Sequence, residues 1–437
     1  MDQHAALAAL GFAAIAVFLL AIRRISVLVA LVLVPLIFGL LSLTVTDVDL
    51  GRAMMDGIVK VAPVGIMIAF AVLYFGLMLD VGLFDSVIGA TLRLARGDPL
   101  RLAIGTALLT LFVALDGDGS ATFLITLSAL LPAYQRLGMS RLVLATIVGL
   151  ACGVMNILPW GGPTTRMMAV LNADAQAAFL PVVPAMVGGM IYVVAMAAWL
   201  GLRERRRLGI AGPEPAAPNS RGVPVLLDRP HRRTGWRFFF NLALTTALIV
   251  GLLASLLPLV TLFIIAYAMA LLVNFPAWED QRDRLSAHAG SALMVASMIF
   301  AAGILTGVLT GTKMIEAMAA ALVSVIPDQF GSYLPLIVAV TSMPLTLVFT
   351  ADAYYFGVLP VLAEAAGRFG LDPLLVGHAA VLGHVTTGFP LSPLVASSFL
   401  LVEKAGVRYG EHQRHMFGWA FAATLVMTLI AYLTSAI

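Results

Sequence analysis

Long apolar runs separated by short polar joints make up nearly the whole chain. Ala5–Ile22 and Ile25–Leu43 flank Arg23-Arg24, and Met54–Leu79 leads through Asp80 and Asp85 into a basic segment with Arg93, Arg96 and Arg101. Runs of about 20 apolar residues match the hydrocarbon thickness of a bilayer, so each is expected to be a membrane-spanning helix. Clustered arginines favour the cytoplasmic side. Arg23-Arg24 therefore place the first joint inside and the N-terminus outside. The first run ends in those arginines with no small-residue cleavage site, so it reads as a span and not as a removed signal peptide. From Arg101 to Arg136 the apolar character is broken only by Asp116-Gly117-Asp118-Gly119-Ser120. Both flanks are basic and each arm has only about 15 residues, short for a span, which predicts a re-entrant hairpin with the polar turn at its tip. Leu142–Leu158 then runs into Asn156-Ile157-Leu158-Pro159-Trp160-Gly161-Gly162-Pro163-Thr164-Thr165-Arg166, where two prolines and two glycines break the helix. Pro181–Leu202 returns to the basic cluster Arg203–Arg207.

A proline-, glycine- and arginine-rich stretch, 212–236, reads as a cytoplasmic linker near the middle of the chain. The second half repeats the pattern of the first. Phe238–Leu257 and Leu259–Phe275 form a pair, and Ser291–Thr310 ends rich in glycine, as Phe75–Gly82 does. Leu334–Phe369 is interrupted around Phe349–Tyr355, and a second break, His384–Pro393, matches the first. Offsets between matched positions (76 to 303, 118 to 352, 159 to 390) are 227, 234 and 231 residues, which predicts an internal duplication. Each half then holds five spans and a hairpin, and the odd count inverts the second half relative to the first. The expected fold is an all-α polytopic membrane protein of two inverted repeats, residues 1–211 and 237–437. In the first repeat these are scaffold helices 5–80, a cytoplasmic-side hairpin 101–137 and a broken helix 142–170. In the second they are scaffold helices 238–311, an outer-side hairpin 334–369 and a broken helix 372–404, with the C-terminus outside. Inverted repeats with broken helices at their interface are the pattern of secondary transporters, whose substrate sits near the membrane midplane.

Composition agrees. The 437 residues are 61% hydrophobic and 11% charged, against about 25% charged in soluble proteins. A formal charge of +3 gives no sign of a nucleic-acid partner, and the lone Cys152 excludes an intramolecular disulfide. No His-Glu-x-x-His, Gly-x-Ser-x-Gly or P-loop pattern is present, which argues against a membrane-embedded enzyme and against direct ATP drive.

At Leu115–Thr122, Asn156–Arg166, Phe75–Phe84 and Thr386–Pro393 the chain resembles the citrate–metal complex:proton symporter family of the ion transporter superfamily. The resemblance covers nearly the whole chain and is weakest in the linker. It implies uptake of citrate as its complex with a magnesium- or calcium-class divalent cation, driven by protons, with no permanently bound cofactor. It also implies an elevator-type homodimer in the cell (inner) membrane. Another small carboxylate, with or without metal, and sodium in place of protons remain open alternatives at this stage.

A metal–citrate complex still presents net negative charge and many acceptor oxygens. Candidate donors are Ser120, Thr122, Asn156, Thr164, Thr165, Arg166, Tyr354, Thr386, Thr387 and Ser392, with the backbone at Gly161 and Gly162. Arg166 either forks onto a carboxylate or snorkels to the outer interface. Asp116, Asp118 and Asp352, as acceptors, suit a cation or a proton, with Asp118 and Asp352 the candidates for completing the metal's coordination. The competing reading of Asp116 and Asp118 is that they cap a hairpin half-helix. His384 is a candidate for the coupling path, against a structural histidine bonded to a carbonyl. Its six-residue spacing from His378 puts the two on different helix faces and disfavours a two-histidine metal site.

Overall fold

The computed structural model describes residues 3–84, 88, 89, 91, 93, 97–209 and 235–437. Asp85, Arg96 and the linker up to residue 234 lie outside the described residues. Those described are helices and their connections, with no strand among them.

The first half contains α1 (Gln3–Ala21), α2 (Val27–Ser42), α3 (Leu50–Asp80), α4 (Pro99–Val113), α5 (Gly119–Arg136), α6 (Arg141–Met155), α7 (Gly162–Leu171) and α8 (Val183–Arg207). The second contains α9 (Trp236–Leu253), α10 (Leu259–Asn274), α11 (Trp278–Gly311), α12 (Met314–Val323), α13 (Leu334–Leu345), α14 (Leu359–Arg368), α15 (Pro373–Val381), α16 (Ala396–Ala405) and α17 (Tyr409–Leu433). Helix starts follow local chemistry. Ser26, Asp49, Asp98, Asp118 and Asp372 each accept a backbone N–H from the first turn of the helix they open, satisfying donors that would otherwise be orphaned. Among the described residues seven helical stretches are long and apolar enough to cross a membrane. The chain is a multi-pass membrane protein.

The two longest helices, α3 and α11, pack along each other. They can because the contact is built from small residues: a Cβ on Gly57 would strike the Gly303 carbonyl, and one on Gly307 would strike that of Ala53. Without a hydrophobic drive between helices in lipid, such close backbone contact is what holds a helix pair together. Tyr74 and Thr245 share a hydroxyl hydrogen bond of 2.7 Å that ties α3 to α9. At the far end Asp80 meets Arg284 (3.2 Å) and His288 (2.9 Å) of α11. These partners explain why α11 begins at Trp278, well before the apolar run that starts at Ser291. Asp80 engages this charged start of α11 through Arg284 and His288. A further departure from the sequence reading is α12, which packs on α1 and α14.

Helices are interrupted at two places in each half. Helices α4 and α5 meet at the Asp-Gly-Asp turn, and α6 and α7 are separated by Asn156–Gly161. In the second half α13 and α14 are joined through a bend at 346–350 and a π-type turn, Ala353–Val358, while α15 and α16 flank the break around Gly383–Ser392.

Candidate functional site

The first tip is held by its own carboxylates. Gly117 takes φ +74°, left-handed backbone that costs an L-residue with a Cβ energy, and a Cβ there would also lie 3.0 Å from the Trp160 ring. Asp116 Oδ1 accepts the Asp118 N–H (2.9 Å) and the Thr122 hydroxyl (3.3 Å). Its Oδ2 is buried and has no partner. Asp118 is exposed and caps α5 by accepting the Ser120 N–H at 2.9 Å. The Trp160 indole donates to the Leu115 carbonyl (2.8 Å), pinning the first break to the first tip.

The two breaks touch. The Asn156 carboxamide donates to the Val385 carbonyl at 3.0 Å, and Val385 itself sits at φ +55° inside the second break. A Cβ on Gly153 would run into the Thr386 carbonyl, and Phe123 of α5 packs on Phe389 with ring centres 5.8 Å apart. The second break is braced from the bend after α13: Thr346 accepts the Val385 N–H (3.2 Å), and its carbonyl accepts the Ser392 hydroxyl (2.8 Å).

Most of the expected hydroxyl donors are committed inside these breaks. Thr164 donates to the Ile157 carbonyl, Thr165 to Gly161 and Gly162, and Thr386 to Val381. Thr387 pairs with Thr424 at 2.6 Å. All four, like Ser392, are fully buried. The bonds of Thr164, Thr165, Thr386 and Ser392 go to backbone carbonyls, while that of Thr387 ties the second break to α17. Gly161 opens α7, where a Cβ would collide with the Asn156 carbonyl.

The second tip is arranged differently. Thr350 is its cap, accepting the Ala353 N–H at 3.1 Å. The capping positions therefore align Asp118 with Thr350, and Asp352 lies two residues further in, so the expected equivalence of Asp118 and Asp352 does not hold in the capping register. Asp352 accepts from Arg166 Nε at 2.7 Å, while Arg166 Nη1 donates to the Gly162 carbonyl at 2.9 Å. The arginine side chain is 24% exposed and the aspartate 14%. Beside them Tyr354 stacks on His384, with ring centres 3.9 Å apart and planes 8° from parallel, and Tyr355 donates to the His384 carbonyl at 3.1 Å. The Tyr354 hydroxyl and both His384 ring nitrogens are buried without a hydrogen-bond partner. His378, by contrast, has both ring nitrogens 3.0 Å from carbonyls, those of Ala436 and Ala177.

The structure thus brings together, around two touching breaks, one arginine, a histidine–tyrosine stack and the tip aspartates. Asp118, Ser120, Gly162, Arg166 and Asp352 keep some surface, while Asp116, Thr122, Asn156, Tyr354 and His384 are buried behind them. Sequence reasoning missed Trp160, Thr346, Thr350 and Tyr355. Only Thr350 had a legible signal, a capping residue type at the head of a helical run. Among the described residues no group of three His, Cys, Asp or Glu gathers.

The chain matches the citrate transporter family over residues 4–383. It belongs to that family. A citrate transporter of Bacillus subtilis (strain 168) is 51% identical over 429 residues, covering 98% of each chain. A Mg(2+)/citrate complex secondary transporter of the same organism is 46% identical over 433 residues, covering 99% of each. The YdaH transporter of Alcanivorax borkumensis shares the fold at a TM-score of 0.57 and 14% identity, over 87% of this chain and 86% of its own. This family member is a transporter and not an enzyme.

Proposed function

We propose that this protein takes up citrate as a complex with a divalent cation, by proton symport and an elevator movement. The single observation that carries this is the mixed charge at the site: Arg166 and Asp352, both partly exposed, sit as an ion pair next to the two breaks. A bare tricarboxylate would need several cations there. The complex arrives with most of that charge cancelled, and its carboxylates bring most of the ion's oxygen ligands with it. The names of the two Bacillus relatives support the same substrate.

Asp116 is the proposed proton carrier. An ionised carboxylate with one buried, unpartnered oxygen is costly at membrane depth, and a proton relieves that cost. Asp118 serves as a cap in this reading, and His384 lines the path. The repeats proposed at 1–211 and 237–437 are inverted, with a hairpin (101–137 and 334–369) and a broken helix (142–170 and 372–404) of each moving together against the helices of 5–80 and 238–311. The working unit in this reading is a homodimer in the cell membrane.

The test is uptake of radiolabelled citrate into proteoliposomes under an inward proton gradient, with magnesium, with calcium, and with a chelator. Uptake that requires metal and collapses with a protonophore is expected. Equal uptake with the chelator would replace this reading by a plain carboxylate carrier.

A further inference from the structure

Arg166 and Asp352 come from opposite halves of the chain and meet where both keep access to the surface. Among the described residues it is the ion pair that each of the two makes. The turn Ala353–Val358, directly after Asp352, packs against α1, α7, α11 and α14. Ala5–Ala21 of α1 and Ser291–Gly311 of α11 contain no ionisable residue, and α7 contributes Arg166 itself. On α14 Arg368 and Glu364 lie 4.0 Å from each other. The remaining titratable neighbours are Tyr354, Tyr355 and His384, stacked and buried as described.

We propose that this ion pair is the empty-state substitute for the cargo, and that loading exchanges both partners at once. A citrate carboxylate takes the Arg166 guanidinium, and the Asp352 carboxylate it releases completes the oxygen shell of the cargo's divalent ion. This rests on the metal–citrate reading above and explains why the complex, and neither component alone, is the substrate. Bare citrate would capture Arg166 and strand Asp352, and a bare cation would capture Asp352 and strand Arg166. A stranded charge in a partly buried site is strongly unfavourable. The complex offers an anion and a cation together, so every charge ends paired. The geometry suits both halves of the exchange. The guanidinium is a planar fork that grips carboxylates, and it stays oriented because Nη1 remains on the Gly162 carbonyl. The carboxylate is a hard oxygen ligand of the kind magnesium and calcium take.

The experiment is binding of radiolabelled citrate to the purified full-length protein in nanodiscs, with magnesium and with a chelator. The readout is the ratio of the two affinities. Wild type is expected to favour the magnesium arm strongly. Asp352→Asn removes the charge that bare citrate strands, so that ratio should fall by about tenfold or more. Asp352→Glu should keep it, and Arg166→Gln should lose binding in both arms. Should the Asn variant not fold, Asp352→Ser tests the same ratio, with elution profile and melting temperature reporting the fold. An Asp352→Asn ratio equal to that of wild type overturns the exchange while leaving the substrate reading intact. Wild type that binds citrate equally well with chelator overturns the substrate reading, and the exchange with it.

Discussion

The turns at Asp116–Ser120 and at Thr346–Asp352 solve the same problem with different polar equipment. Each must open a helix whose first N–H groups need acceptors. The first tip does so within nine residues and with its own charges: Asp116 receives Asp118 and Thr122, Asp118 receives Ser120, and Gly117 supplies the left-handed turn. The second has a neutral cap, Thr350, no glycine at the bend, and a π-type turn after it. Its one carboxylate is left over from capping and reaches the other half, to Arg166. A tip closed on itself can hold a buried carboxylate that a proton neutralises. A tip whose charge is shared with a neighbouring helix can trade that partner for a ligand. In the proposed reading this asymmetry assigns the proton to the first half and the cargo to the second.

The largest effect expected from breaking this division is at Arg166. Arg166→Gln strands Asp352 and removes the carboxylate grip, and should lower initial citrate uptake by about a hundredfold, as loss of one member of an enclosed charge pair does. Uptake within a few-fold of wild type would remove Arg166 from the substrate path. Next is Asp116→Asn, which keeps an acceptor for the Asp118 N–H and removes the titrating group. Net proton-driven accumulation should disappear while citrate counterflow persists, and unchanged proton dependence would assign the proton elsewhere. Gly117→Ala should destabilise the fold by about 1–2 kcal/mol from its positive φ alone, seen as a lowered melting temperature in detergent. The smallest effects belong to the caps. Asp118→Ala and Thr350→Ala should each cost about 1 kcal/mol and leave transport nearly intact. Transport lost in Asp118→Ala alone, at normal stability, would give the first tip a ligand role as well.

Much of the architecture was legible because its signals are local. Apolar run length marks the spans, and Asp-Gly-Asp and Pro-Trp-Gly-Gly-Pro mark the tip and the break at the positions where α4, α6 and α7 stop and start. The charged start of α11 and its continuity through Glu279–Arg284 were not legible, because Asp80, some 204 residues earlier, holds them. The same limit hid the pairing of Arg166 with Asp352, which lie 186 residues apart. Residue type alone also misassigned emphasis among the hydroxyls. Thr164, Thr165, Thr386, Thr387 and Ser392 look like ligand donors in a polar motif, yet four of them donate to backbone carbonyls and Thr387 pairs with the Thr424 hydroxyl. The repeat offset drew Asp118 and Asp352 together, and only the capping geometry shows that they do different work.

The most direct measurement is a dual-label flux: citrate and the divalent cation followed simultaneously into proteoliposomes under an inward proton gradient. Equimolar entry of the two labels, with both stopped by a protonophore, is the predicted result. Citrate entering without its cation, at the same rate and under the same gradient, would contradict the account.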